Sequence, residues 1–298
     1  MKKHLFAIVY SLGLIFFTIY ILLDTFVNSK VYKVTDTNIN NDISINHSLE
    51  KDSITITSDM YEDGNIEIKI NEYTYENTQV YVADVQIKNP EFLKTAFANN
   101  TYGKNITAKT SSIAKSVNAI FAINGDYYGV QEKGYVLKNG VVYRDTTSGA
   151  KEDLVIYKDG EFDIINESEI DIYTLQKNGA YNILSFGPAL IRDGIVSVSK
   201  NYEVAKAMKS NPRTAIGIID NLHYVFVVSD GRTTVSEGLT VFELAEFMKN
   251  KLEVKTAYNL DGGGSSTMYF NGVVVNNPTT NGNRVSERNV SDIVYIGY

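Results

Sequence analysis

The sequence predicts an α+β fold: a single β-rich globular domain with a few helices, placed after an N-terminal transmembrane helix and a polar tether. Three observations predict it. Tyrosine (21) and phenylalanine (13) are plentiful and tryptophan is absent, and the strand-like segments lean on isoleucine, valine and tyrosine, which suit a pleated surface. Asn139-Gly140, Asp159-Gly160, Asp193-Gly194 and Asn271-Gly272 each separate two apolar runs, and such pairs favour tight hairpin turns. Helical periodicity is scarce, with one clear segment and one weaker one.

Taken in order, residues 5–23 form 19 uncharged positions preceded by Lys2 and Lys3 and followed by Asp24. Roughly 20 apolar residues span a bilayer, so residues 1–24 are expected to be an uncleaved anchor. A cleaved signal peptide would carry a shorter apolar core and a small-residue cleavage site; here the segment ends in Ile21-Leu22-Leu23-Asp24. The positive-inside bias puts the N-terminus in the cytoplasm and the rest of the chain outside. Residues 25–53 are rich in Asn, Asp, Ser and Thr without sustained periodicity, which reads as a tether. The globular domain is expected over residues 54–298. It opens with a hairpin: Ile66, Ile68 and Ile70 alternate with polar residues, and Val80, Val82, Val85 and Ile87 follow across Asn77-Thr78. A helix is expected over residues 241–251, where Thr240 and Glu243 make a capping box and Val241, Leu244, Ala245, Met248 and Leu252 share a face. A second is expected over residues 111–117.

Charge and rare residues exclude several functions. The formal charge is −7; removing the two lysines and the aspartate of residues 1–24 leaves −8 for the remainder. An acidic surface argues against a nucleic-acid partner. With no cysteine, thiolate nucleophiles and cysteine-ligated zinc are excluded. Histidine occurs three times, as His4, His47 and His223, and only His223, at a strand start, lies in the globular part. Proton transfer therefore falls to carboxylates, tyrosines or lysines.

Four segments put polar groups and glycine at the ends of apolar strands: Asn124-Gly125-Asp126, the stretch around Arg213, Asp230-Gly231-Arg232, and Asn259-Leu260-Asp261-Gly262-Gly263-Gly264-Ser265-Ser266. Polar strand ends on one rim can converge on a cleft. Three consecutive glycines pack nothing and suit close approach of a ligand to the backbone. Arg213 and Arg232 offer planar forks for phosphate or carboxylate, with bare glycine amides as further anion donors. Asp126, Asp230 and Asp261 offer acid, base or nucleophile. Together they suggest an anionic substrate and a bond broken by acid/base chemistry.

The order of Arg213-Thr214-Ala215-Ile216-Gly217, Asp230-Gly231-Arg232 and the glycine run resembles the phosphodiester glycosidase family, as do Ser236 to Thr240 and Arg284 to Asp292. The resemblance covers about residues 119–298; residues 54–117 carry none of these motifs, and the cysteines of animal members are missing. It implies an α+β fold and hydrolysis of a sugar-1-phosphodiester to free sugar and phosphomonoester. Bacterial members are often labelled exopolysaccharide-related.

With a leaving group that is already a stable phosphate, the site mainly has to hold charge and support an oxocarbenium-like transition state. Asp261 is expected as nucleophile or base, with Asp126 or Asp230 as its partner. Arg213 and Arg232 would hold phosphate, while Asn124, Asn259, Ser265 and Ser266 orient oxygens beside Gly125, Gly262, Gly263 and Gly264. No cofactor is expected, and a bound metal is not specified. The expected partner is a phosphorylated glycan or glycoconjugate of the cell envelope. Two other readings stay open: a non-catalytic phosphoglycan-binding or export-accessory protein, and a metal-dependent phosphodiesterase using the aspartates.

Overall fold

The structure is a computed structural model that describes residues 2–35, 54–201 and 210–298. Its centre is a nine-stranded sheet, every pairing of which is antiparallel. From one edge the strands run Ile195–Val196, Ala189–Arg192, Thr256–Asn259, Arg213–Asp220, His223–Ser229, Thr78–Ile87, Ile66–Tyr75, Met60–Glu62 and Thr55–Ile56. A five-stranded sheet packs on one face, in the order Val273–Val274, Met268–Phe270, Phe121–Asn124, Asp292–Ile296 and Leu93–Phe97.

The alternation in the sequence decides which residue goes to which layer. Ile66, Ile68, Tyr81, Ala83, Val85, Ile216, Phe226 and Tyr258 point between the two sheets and meet Phe121, Ile123, Met268, Phe270 and Val294; the Phe121 and Phe226 rings lie 5.0 Å apart. Their neighbours Val80, Val82, Ala215, Val225, Val227 and Ala257 point the other way, onto the helix Val241–Leu252 through Leu244, Ala245, Phe247 and Met248. The outer face of the smaller sheet is covered by Thr110–Ser116 through Ile113 and Ala114. The result is four layers, helix on sheet on sheet on helix, each buried by the face its period supplies.

The turn and cap expectations hold. The hairpin Ile66–Tyr75 to Thr78–Ile87 closes through Glu76 and Asn77, both at positive φ, and all four Asn-Gly or Asp-Gly pairs join antiparallel strands. Thr240 and Glu243 form the complete capping box. Replacing Thr240 with alanine leaves a first-turn amide without its partner and is expected to cost about 1 kcal/mol, read as a lower midpoint in urea at unchanged slope.

At the N-terminus the helix Lys2–Phe26 contains a 20-residue segment, Ala7–Phe26, of mean hydropathy 2.0, long and apolar enough to cross a membrane. The segment expected to be a tether departs from that expectation at its start. Residues Lys30–Val34 form a strand antiparallel to Thr101–Lys104, because Val31, Tyr32 and Val34 within the polar run suit an edge strand. Asn105 fixes the junction: its Nδ2 donates to the carbonyls of Thr25 at 3.3 Å and Asn28 at 3.1 Å, and the Ser29 hydroxyl donates to the Asn105 carbonyl. The remainder of the expected tether, residues 36–53, lies outside the described residues.

Candidate active site

The two sheets meet at one end around Asn124, which terminates its strand fully buried. Its Nδ2 donates to the Asp261 carbonyl at 2.7 Å, and its Oδ1 accepts from the Thr214 hydroxyl at 2.9 Å and the Thr267 amide at 3.2 Å. One amide side chain thus ties together the mouths of three strands. Arg213 pairs with Ser229, the residue before Asp230, and Ala215 pairs with Asn259. All four polar segments therefore gather at the same end of the sandwich.

The glycines are required by what passes over them. A Cβ on Gly262 would lie 2.9 Å from the Pro212 carbonyl, one on Gly264 2.4 Å from Thr280 Oγ1, and one on Gly125 2.2 Å from Asp292 Oδ1. Gly263 adopts φ +62° and carries the Arg232 guanidinium directly above it, with Nη2 2.8 Å from where a Cβ would sit. In the left-handed region, glycine alone is free of strain.

Three arginines crowd this floor. Arg213 is 4% exposed and donates from Nε to the Leu239 carbonyl; burial, with Arg232 nearby, lowers its pKa to about 10. Arg232 is held from Nε and Nη2 by Asn211 Oδ1 at 3.0 and 2.9 Å and from Nη1 by the Thr280 carbonyl. Arg288 completes the set, and its charge depresses the Arg232 pKa after burial does. Arg288 donates from Nε and Nη2 to Ser265 Oγ at 2.9 and 2.7 Å, and from Nη2 to the Gly262 carbonyl at 3.1 Å and to Asp261 Oδ2 at 3.2 Å. Such crowding of like charge is costly unless an anion offsets it.

The three aspartates occupy different settings. Asp261 is 7% exposed; burial raises its pKa above the ordinary carboxylate value, with Arg288 opposing. Asp230 receives four donors: Asn276 Nδ2, the Asn277 amide, Asn277 Nδ2 and, at 3.4 Å, the Tyr81 hydroxyl. Asp126 turns inward, away from the glycine run. Its Oδ2 accepts from the Ser185 amide at 2.9 Å and pairs with Lys138 at 3.1 Å, and Lys138 also reaches Asp292 Oδ2 at 2.9 Å. Burial works against charge on Asp126, but Lys138 and the Ser185 amide together outweigh it and its pKa is lowered; burial and the Asp126 charge push Asp292 up to about 7. Asn259 is also turned inward, its Nδ2 donating to the Gly187 carbonyl at 2.8 Å. Ser266 Oγ is buried with no protein partner.

The sequence does not single out Lys138, Asp292, Asn276, Asn277 or Arg288 as site residues. Arg288, Asn276 and Asn277 follow the same rule as the others, polar residues beside apolar strands, and Arg288 lies within the Arg284 to Asp292 stretch that the resemblance covers. Lys138 gave no signal, since a lysine beside an Asn-Gly turn ordinarily faces water. Among the described residues no three Asp, Glu or His side chains gather as metal ligands. His223 is far from catalytic use, paired with Asp84 at 2.7 Å on the sheet.

A second acidic cluster adjoins Asp126 through Ser185. Asp153 is fully buried, and burial followed by the charge of Glu167 raises its pKa well above the usual carboxylate range. An unfolded chain releases that proton near pH 4 while the folded state keeps it, so this contribution to stability falls as pH rises from there through the folded value. Asp153→Asn is expected to raise the melting temperature at pH 8 by about 2–4 °C, about 1 kcal/mol, with the advantage shrinking at pH 5. Equal melting at pH 8 would contradict the assignment.

Comparisons with known proteins bear on the family and the fold. A family model for phosphodiester glycosidase matches residues 117–297. The SPbeta prophage-derived uncharacterized protein YomE of Bacillus subtilis (strain 168) is 28% identical over 253 residues, covering 82% of this chain and 38% of that protein. The human N-acetylglucosamine-1-phosphodiester alpha-N-acetylglucosaminidase is 42% identical over 67 residues, 22% of this chain and 13% of that protein. The chain thus spans well under two thirds of the length of these relatives. Among solved structures, the catalytic domain of the zebrafish N-acetylglucosamine-1-phosphodiester alpha-N-acetylglucosaminidase, auto-inhibited by its pro-peptide, superposes with a TM-score of 0.62 at 22% identity, over 78% of this chain and 83% of that one. By its sequence, supported by a shared fold, the chain belongs to the phosphodiester glycosidase family.

Proposed function

We propose that the protein is an extracytoplasmic hydrolase that cleaves a sugar-1-phosphodiester of the cell envelope, releasing free sugar and a phosphomonoester. The observation that carries this reading is the gathering of Arg213, Arg232 and Arg288 around a glycine floor beside Asp261. The arginines hold the phosphate and stabilise it as it departs. Asp261 supports the developing oxocarbenium ion as nucleophile or base, oriented by Arg288 and Ser265. Asp230, fixed by four donors, is its partner carboxylate. Asp126 acts indirectly, holding the turn whose Gly125 carbonyl accepts from the Asp261 amide. The domain boundaries proposed are an anchor over residues 1–24 and a catalytic domain over residues 54–298, with Lys30–Val34 paired to the latter. The apolar N-terminal helix and its flanking lysines support single-pass anchoring with the domain outside.

Hydrolysis of a sugar-1-phosphodiester in ¹⁸O-labelled water tests the reaction class. Label in the released sugar is the expected result. Label in the phosphate, with loss of activity on chelation, identifies a metal-dependent phosphodiesterase instead. Binding of phosphoglycans without turnover identifies a non-catalytic envelope protein.

A further inference from the structure

The arginine site and the N-terminal helix join the domain at the same end of the sandwich. The strand Phe121–Asn124 runs into Gly125, whose amide donates to the Asp292 carbonyl at 2.9 Å and whose carbonyl accepts from the Asp261 amide at 3.4 Å. Four residues on, Gly129 lies against Ser291, the neighbour of Asp292: a Cβ there would sit 2.3 Å from Ser291 Oγ. The Gly129 carbonyl accepts from the Asn105 amide at 3.2 Å, and Asn105 in turn grips the carbonyls of Thr25 and Asn28 at the end of the helix. Four residues of chain span at most about 14 Å, so the Asp261 amide lies within about 20 Å of Asn105. The strand Lys30–Val34 borders the same wall. Thr35 donates to the Asn100 carbonyl, and Ala98 to the carbonyl of Ser291, three residues after Arg288.

Twenty helical residues, Ala7–Phe26, rise about 30 Å, the thickness of a hydrocarbon core. As an anchor, the helix therefore leaves the core at Phe26, and Asn105 bonds to carbonyls on either side of that boundary. The loops of the arginine site then form the face of the domain nearest the bilayer, while the turn at Asn221 marks the opposite end, about 23 Å farther along the strand that begins at Arg213. The site-bearing loops also carry exposed apolar side chains: Tyr127 (39%) and Val130 (37%) on the segment between the floor and Asn105, and Val285 (62%) three residues before Arg288. An aromatic and two aliphatic side chains beside a cluster of arginines suit a membrane–water interface.

We propose that the substrate is a sugar-1-phosphodiester whose second alcohol is a long-chain lipid of the bilayer, cleaved while that chain stays in the membrane. The bond from C1 of the sugar to the bridging oxygen breaks, its electron pair staying on that oxygen. Water supplies the new hydroxyl on C1 and a proton, and a lipid phosphomonoester remains in the bilayer. This rests on the hydrolase and anchor readings above.

The test uses the full chain in phosphatidylcholine vesicles with octadecyl and methyl diesters of glucose 1-phosphate and N-acetylglucosamine 1-phosphate. The octadecyl diester of at least one sugar should be hydrolysed at least about tenfold faster than its methyl counterpart at equal bulk concentration, because sharing a bilayer raises its effective concentration. Tyr127→Asn with Val285→Asp should lower the octadecyl rate about tenfold by removing apolar contact with the interface, leaving the methyl rate unchanged; asparagine tolerates the φ of +66° at position 127. An octadecyl rate no higher than the methyl rate overturns the proposal, as does an equal fall of both rates in the double variant. A readout independent of turnover uses the absence of native cysteine: a fluorophore on the Val285→Cys variant should be quenched by headgroup-nitroxide lipid, and one on Asn221→Cys should not. Equal quenching at the two positions, or quenching at Asn221→Cys alone, also overturns it. A chain that does not float with the vesicles refutes the anchor reading. Hydrolysis of no diester refutes the hydrolase reading, and the substrate assignment falls with it, whereas hydrolysis of the methyl diesters alone refutes the lipid assignment and leaves the hydrolase reading standing.

Discussion

Asp261→Asn is expected to lower kcat for a sugar-1-phosphodiester by about 10³- to 10⁴-fold, the scale seen when a reacting carboxylate is neutralised, with KM changed little. The geometry gives the reason for that split. In the proposed mechanism ground-state binding rests on Arg213 and Arg232, while Asp261 adds stabilisation only as positive charge grows on the sugar. Asparagine keeps the shape and can still accept from Arg288 Nη2, so the fold should persist. Activity within tenfold of the parent would remove Asp261 from the mechanism. Arg288→Gln gives an independent reading. Arg288 opposes the effect of burial on Asp261, so its loss raises the Asp261 pKa further and should move the acidic limb of the kcat/KM profile to higher pH. An unmoved limb would mean that the limb reports another group.

Lys138→Met is expected to destabilise the protein by about 3–5 kcal/mol, because it leaves Asp126 and Asp292 buried together without their cation; for a domain of this size the melting temperature falls by about 10 °C. The sign of the pH dependence is fixed. Without Lys138 the two carboxylates raise each other's pKa, the folded state then binds protons that the unfolded state has released, and stability is lost as pH rises from about 4. Acidification toward pH 5 should therefore recover part of the loss. Adding Asp126→Asn and Asp292→Asn to Lys138→Met should recover more, since a neutral network needs no counter-charge. A single variant as stable as the parent at pH 8 would show that the trio contributes nothing.

The fold was legible where local chemistry and tertiary demand coincide. Alternation in 66–70 and 80–87, the Asn-Gly and Asp-Gly pairs and the Thr240–Glu243 box each stated a local rule that the layers then use. Gly125, Gly262 and Gly264 were legible as ligand-facing backbone, yet the nearest atoms over them belong to Asp292, Pro212 and Thr280 of the protein itself, and one sequence carries no sign of which chain segment will cross another. The same limit explains Asp126 and Lys138. Twelve positions apart, they form one buried ion pair only because Asp292 and Ser185 close around them. Arg288 was missed for a simpler reason: a lone arginine in a polar loop looks like a solvated surface until Ser265 and Asp261 are placed beside it. The strand Lys30–Val34 was hidden because its partner, Thr101–Lys104, lies about seventy residues away.

That strand has a mechanical consequence. A leash of some thirty polar residues would let a catalytic head sweep a wide volume above its anchor. With Lys30–Val34 stitched to Thr101–Lys104 and Asn105 gripping the carbonyls of Thr25 and Asn28, the helix is joined to the domain by a short, paired segment, and if that helix is the anchor proposed above, the domain is held close to it. On the proposed reading of the apolar helix as an anchor and the domain as a hydrolase, an enzyme so mounted would search in two dimensions, meeting what diffuses within the bilayer or hangs close to it.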